Sequence, residues 1–182
     1  LDSTNIRFIC ASDTNPYQLS YIPVTSPYTR VYDTMSSTNH GVVNSMQYHV
    51  LSDNSQVIYM GTENKMVRYN SQVPTSGSPV LRNPTHSYGA VAYNSIRLTK
   101  DGSYVFGGTS NKISRCSLLL SCTDLPLAGG DVYNILNRLT GNHMVVLEKA
   151  SPHSTLHNFE ASVPSSSYQH SLVDFEAGLM TI

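Results

Sequence analysis

Tryptophan is absent from the 182 residues, only 13% are charged, and 11 Lys+Arg stand against 12 Asp+Glu for a formal net charge of -1. Without a basic excess there is no cationic stripe to neutralise a row of phosphates, and counterion release is what drives nucleic-acid affinity. The sequence therefore speaks against nucleic acid as a partner. Long apolar runs are missing as well: Leu118-Leu119-Leu120 and Met144-Val145-Val146-Leu147 fall far short of the ~18–20 residues that span a bilayer, so no membrane span is expected. Lys and Glu are scarce, which argues against a helical bundle. In their place stand 26 Ser, 15 Thr and 14 Asn, together 55 of 182 residues, beside a hydrophobic share of 40% and 12 Tyr. That apolar content is too high for disorder, which couples low hydrophobicity to high net charge. What remains is an all-β domain, and the length suits one domain with a real core over residues 1–182.

The chain opens at Leu1 with neither an initiator Met nor a signal-like apolar segment, which points to a processed protein or an excised fragment. Cys116 and Cys122 enclose Ser-Leu-Leu-Leu-Ser, a loop short enough for a disulfide if the chain reverses there, and buried reduced thiols are the alternative. Cys10 reads as a buried free thiol. A disulfide and the Ser/Thr/Asn/Tyr-rich surface suit an oxidising, extracellular or cell-surface setting. Against simple eukaryotic secretion, there is no Asn-x-Ser/Thr acceptor, Asn83-Pro84-Thr85 being excluded by its proline.

The strongest pattern is internal. The segment Val57–Asn70 aligns without a gap on Tyr104–Ser117 at an offset of 47 residues, with Gly61/Gly108, Thr62/Thr109, Asn64/Asn111, Lys65/Lys112 and Arg68/Arg115 identical. Each copy predicts a strand (Met46–Leu51; Ser95–Thr99), a turn at Asp53-Asn54 or Asp101-Gly102, an inner strand (Val57–Met60; Tyr104–Gly107), a Gly-Thr-x-Asn turn with positive φ, and a third strand (Lys65–Tyr69; Lys112–Cys116). Weaker copies flank these. The later one has strands at Val132–Leu139, His143–Glu148 and near Thr155–Phe159; the earlier one has Asn5–Ala11 and Gln18–Val24. Pro74, Gly77, Pro79 and Pro84 mark Ser71–His86 as an irregular connector.

The run Leu98-Thr99-Lys100-Asp101-Gly102-Ser103-Tyr104-Val105-Phe106-Gly107-Gly108-Thr109-Ser110-Asn111-Lys112-Ile113 resembles a β-propeller blade of the WD-repeat or quinoprotein-like kind, although no Trp-Asp dipeptide or Gly-His opening occurs. The resemblance covers Asn5–Phe159 and implies about four blade-like, four-stranded units, a β-sandwich being the rival. Terminal blades must hide their edges. A closed four-bladed ring would pair a strand near Leu172–Phe175 with the N-terminal sheet. That tail alternatively begins a fifth blade, and a partial ring would bury at least ~1,000 Å² against a neighbouring chain.

Motifs for chemistry are sparse. His153 and His157, with His143 ten residues before His153, lack a third metal ligand and a His-Glu-x-x-His pattern. No Gly-x-Ser-x-Gly elbow or phosphate loop occurs. Asp33, Asp53, Asp101, Asp131, Glu63 and Glu148 read as turn caps or solvated strand ends. No catalytic residue, metal or cofactor is assigned. Arg68 and Arg115, kept at one position of two units, either satisfy carbonyls between blades or ring a shared channel and hold an acidic ligand. Tyr17, Tyr28, Tyr32, Tyr88 and Tyr168 lie in connectors, where amphipathic rings suit sugar or protein contacts. Tyr88, His86, Arg68 and Arg115 are the candidate ligand-binding set. The expected function is an extracellular, non-enzymatic binding or structural module, lectin-like or adhesive, whose loop face meets a glycan or protein, as a homo-oligomer or within a larger assembly. The alternative is a propeller glycan hydrolase or lyase with carboxylates converging on the channel.

Overall fold

The computed structural model describes residues 7–11, 18–23, 30–35, 41–71, 81–127, 130–137, 142–149, 154–162 and 169–173. The short runs of β-branched and aromatic residues pair as antiparallel hairpins, since turns such as Asp53-Asn54 and Asp101-Gly102 reverse the chain at once: Asn54 and Gly102 take φ of 64° and 70°. In each turn the carboxylate fixes the reversal, Asp53 Oδ1 accepting from the Ser55 N–H at 2.9 Å and Asp101 Oδ1 from the Ser103 N–H at 3.0 Å.

Four four-stranded sheets result among the described residues. The first blade comprises β1 (Arg7–Ala11), β2 (Gln18–Pro23), β3 (Val31–Met35) and β7 (Leu81–Arg82), and the second β4 (Val43–Val50), β5 (Gln56–Thr62), β6 (Met66–Asn70) and β8 (His86–Tyr88). The third runs β9 (Ser95–Leu98), β10 (Val105–Gly108), β11 (Lys112–Cys116), β12 (Cys122–Pro126), and the fourth β13 (Asp131–Asn137), β14 (His143–Lys149), β15 (Ser154–Glu160), β16 (Gln169–Val173).

The sheets pack in chain order, each through its own apolar seam. Ile9, Leu19, Tyr21 and Met35 meet Ile58, Met60, Val67 and Tyr69 at the first seam. Val57, Tyr59 and Met66 meet Ile96, Leu98 and Val105 at the second, and Phe106 and Ile113 meet Val132, Ile135, Met144 and Val146 at the third. Burying one such side chain contributes ~1.5–3 kcal/mol. Serial stacking of four sheets is the architecture of propeller blades and excludes the two-layer sandwich. The first strands β4, β9 and β13 lie side by side. Their edges are tied by serine hydroxyls: Ser45 Oγ accepts from the Ile96 N–H and Ser95 Oγ from the Ile135 N–H, both at 3.2 Å.

The repeated Gly-Thr pair has a role that its turn-like composition conceals. Gly61 and Gly108 are strand residues without positive φ. A Cβ on Gly61 would come within 2.8 Å of the Tyr93 carbonyl oxygen, and one on Gly108 within 2.2 Å of Val132 Cγ1, so glycine lets the next blade approach. Beside them the Thr62 and Thr109 carbonyls accept from the Tyr93 and Val132 N–H groups at 2.8 and 2.9 Å, stitching each blade to its successor. The turn itself is held by Thr62 Oγ1, which donates to the Lys65 carbonyl at 2.8 Å, with Thr109 and Lys112 repeating the contact at 3.3 Å.

Two expectations are corrected. Ser71–His86 is not uniformly irregular: Leu81–Arg82 pairs in parallel with β3 and His86 opens β8, because two or three ladder positions supplied by a partner suffice where the segment has no pattern of its own. At the other end, β16 pairs with β15 of the fourth blade, not with the N-terminal sheet. Residues 174–182, including Phe175, lie outside the described residues. So do Tyr17, Tyr28, His153 and Tyr168. Cys10 sits opposite Ser20 in β1, its side chain outside the described part.

Candidate functional site

The carboxylates first. Asp101 is the turn cap its sequence implies, hydrogen-bonded to Thr99 Oγ1 at 2.6 Å, and that bond holds its carboxyl below the ordinary range despite some desolvation. Asp33 and Glu148, read as solvated or capping groups, are instead buried. Asp33 accepts from Arg82 Nε at 2.6 Å, clasping β7 onto the first blade. Glu148 accepts from the Gly130 N–H at 2.7 Å and lies 2.6 Å from His157 Nε2, both side chains being almost fully enclosed. A carboxylate enclosed with its partner is internal structure, so His157 is committed to Glu148. Among the described residues no group of three His, Cys, Asp or Glu side chains is arranged to hold a metal.

Cys116 and Cys122 face each other across β11 and β12 and form a disulfide, with Cα atoms 4.0 Å apart. The five-residue loop between them needs Leu120 at φ 57° and tucks that side chain into the second seam, leaving Leu119 exposed.

The four candidate ligand residues distribute along blade seams. Arg68 on β6 and Arg115 on β11 are third-strand residues, two strands away from β4 and β9. Equivalent rows cross the two blades: Gln47, Tyr59, Arg68 and His86 in the second, and Arg97, Phe106, Arg115 and Thr123 in the third. Arg115 does what a repeated inter-blade cation was expected to do. Its Nε donates to the Ala161 carbonyl at 2.7 Å and its Nη2 to that of Ser162 at 3.2 Å, both just beyond β15, while the guanidinium lies 3.7 Å from the Tyr104 ring centroid.

Arg68 does not repeat this. The corresponding acceptor, the Leu118 carbonyl just beyond β11, is taken by Tyr59 Oη at 2.8 Å. Burial pushes the Tyr59 phenol up to about 12, against the pull of the Arg68 charge, so it stays a donor. At the matching position the third blade has Phe106, which makes no such claim. Arg68 is 7% exposed, and its Nε and Nη1 have no hydrogen-bond partner. Neither has the buried Nδ1 of His86, its cross-strand neighbour. The repeated arginine was visible in the sequence; the Tyr/Phe difference that separates its two copies lies in the same alignment but acts through a carbonyl 59 residues from Tyr59.

Tyr88 is engaged at the rim of the same seam. Lys112 Nζ lies 6.0 Å from its ring centroid and donates to Asp124 Oδ2 at 2.6 Å, while Ser114 Oγ donates to Asp124 Oδ1 at 2.6 Å and meets Tyr93 Oη at 3.0 Å. Desolvation alone would raise the Asp124 carboxyl, but hydrogen bonds from Lys112, Ser114 and Tyr88 outweigh it and hold it low.

These sheets, seams and inter-blade ties define a β-propeller fold. Solved structures agree: hydrazine synthase of Kuenenia stuttgartiensis superposes with a TM-score of 0.68 at 7% identity, over 93% of this chain and 46% of that one. The Cps50 (Swd1) β-propeller domain of Myceliophteria thermophila gives 0.61 at 8% identity, over 83% and 47%. The chain thus spans about half the length of either neighbour. No family model and no curated protein matches the sequence.

Proposed function

We propose that residues 1–182 form one propeller domain that acts as a binding or scaffold module, with a protein or glycan as its partner, in an extracellular or cell-surface setting. One observation carries the reading: the two buried acids of the described core are absorbed in internal contacts, Asp33 with Arg82 and Glu148 with His157, and at the surface Asp124 is held by Lys112. An enzyme would instead aim two such groups at an open pocket. The disulfide supports an oxidising home, and no helix among the described residues is long and apolar enough to cross a membrane. Because the neighbours are about twice as long, we further propose that the outer faces of the first and fourth blades are covered by additional blades, from further chain or from a second copy.

Two assays on the purified protein test this. Chemical cross-linking in its native medium followed by mass spectrometry, together with a glycan array, is expected to identify a saturable partner. Release of new reducing ends or unsaturated sugars from any arrayed glycan would overturn the module reading in favour of a hydrolase or lyase.

A further inference from the structure

A buried guanidinium cannot shed its charge, unlike an amine, and leaving one without acceptors costs several kcal/mol. Arg68 is in that position: it is 7% exposed, its Nε and Nη1 lack partners, and no described carboxylate pairs with it. Asp53 feels its charge but spends Oδ1 on the Ser55 N–H and hydroxyl in an exposed turn. Nor does the neighbouring sequence offer relief. From Asn64 to Lys100 there is no Asp or Glu at all, while Lys65, Arg68, Arg82, Arg97 and Lys100 fall in that stretch, five of the chain's 11 basic residues. Of these, Arg82 is neutralised by Asp33. Within the second blade Lys65 and Arg68 are matched in number by Asp53 and Glu63, but both acids are exposed, so Arg68 is left as a buried cation without a partner, with the unpartnered Nδ1 of His86 beside it in register.

We infer that the seam between the second and third blades is a carboxylate-binding site, in which Arg68, flanked by His86, takes the acidic side chain of a protein partner. The proposal rests on the module reading above and names its partner chemistry. An Asp or Glu carboxylate sits on a flexible stem of one or two methylenes, which suits a residue only 7% exposed beside the part-exposed His86, whereas the carboxylate of a uronic acid is attached directly to a rigid pyranose ring. Charge-assisted hydrogen bonds to Arg then offset the burial of both ions. Tyr59 shapes the site: its hydroxyl occupies the Leu118 carbonyl, the second beyond β11, where the matching carbonyl of Ser162 accepts from Arg115.

The test is thermal unfolding of the whole chain with a glutamate oligopeptide as probe, sodium chloride of equal ionic strength as control, and oligogalacturonate as the competing class. Wild type and Lys100→Gln, which removes one exposed charge from the same stretch, should both rise in Tm by several degrees with the peptide. Arg68→Met should not respond, and without probe it should unfold at a higher urea concentration than wild type, since an unpaired buried charge has gone. Tyr59→Phe should also lose the response, as Arg68 turns to the freed Leu118 carbonyl. An equal response in Arg68→Met, no response in wild type beyond the salt control, or a response to oligogalacturonate alone would overturn the site. Failure here leaves the cross-linking result standing, so the two readings fall separately.

Discussion

At the residue scale, single side chains decide how blades meet. Gly108→Ala places a Cβ 2.2 Å from Val132 Cγ1, and such overpacking costs ~1–3 kcal/mol, so a clear drop in urea midpoint is expected. Gly61→Ala meets a backbone carbonyl oxygen at 2.8 Å, which cannot rotate away, and should destabilise at least as much. Arg115→Met leaves the exposed Ser162 carbonyl to water but strands the carbonyl of buried Ala161 at ~1–3 kcal/mol. Its effect should therefore be opposite in sign to that of Arg68→Met, a contrast that equilibrium unfolding reads directly. Acid acts through Asp124. Its folded pKa is depressed below the ordinary 3.8, so its contribution is complete above 3.8 and is lost as pH falls through the folded value. The urea midpoint should drop in that acid range, and Asp124→Asn, measured across the same pH series, should show a shallower fall.

At the element scale, the disulfide closes a loop of five residues between β11 and β12, for which chain-entropy arguments give about 2 kcal/mol. Cys116→Ser with Cys122→Ser should lower stability by that order, and alkylation of the unreduced, unfolded protein should label one thiol per chain, at Cys10. Three labelled thiols would remove the bridge. The first three strands of the second, third and fourth blades were legible because each inner strand is a β-branched or aromatic run between turn signals, and the 47-residue repeat marks residues that face the next blade; the outer strand β12 was not read from the sequence. Gly61 and Gly108 read as turn glycines, since sequence cannot distinguish positive φ from lack of room. The strands β7 and β8 were illegible: two and three residues carry no alternation, and Pro84 lies between them. Likewise Asp33 and Glu148 looked solvated because their partners, Arg82 and His157, come from other strands.

At the scale of the whole molecule, the described sheets form a stack with three internal seams, and the neighbours of known structure continue for about as many residues again. The assembly reading predicts a solution mass above the 20.0 kDa of one chain by light scattering, independent of the glutamate probe. A 20.0 kDa particle whose first and fourth sheets exchange amide protons freely at their outer strands would count against it.

The parallel strand β7 has a kinetic consequence. It completes the first blade, yet it lies beyond every strand of the second except β8, so Thr34 and Leu81 must find each other across the whole β4–β6 hairpin pair. Such a contact is non-local, and the chain entropy of closing it is offset only once the intervening blade has condensed. A nascent chain emerging from its N-terminus therefore holds an incomplete first blade until residue 82 is free, and the two blades mature as one cooperative unit. Native-state hydrogen exchange should find β1–β3 and β4–β6 opening at the same denaturant concentration, and Arg82→Ala, which removes the clasp on Asp33, should split that unit in two.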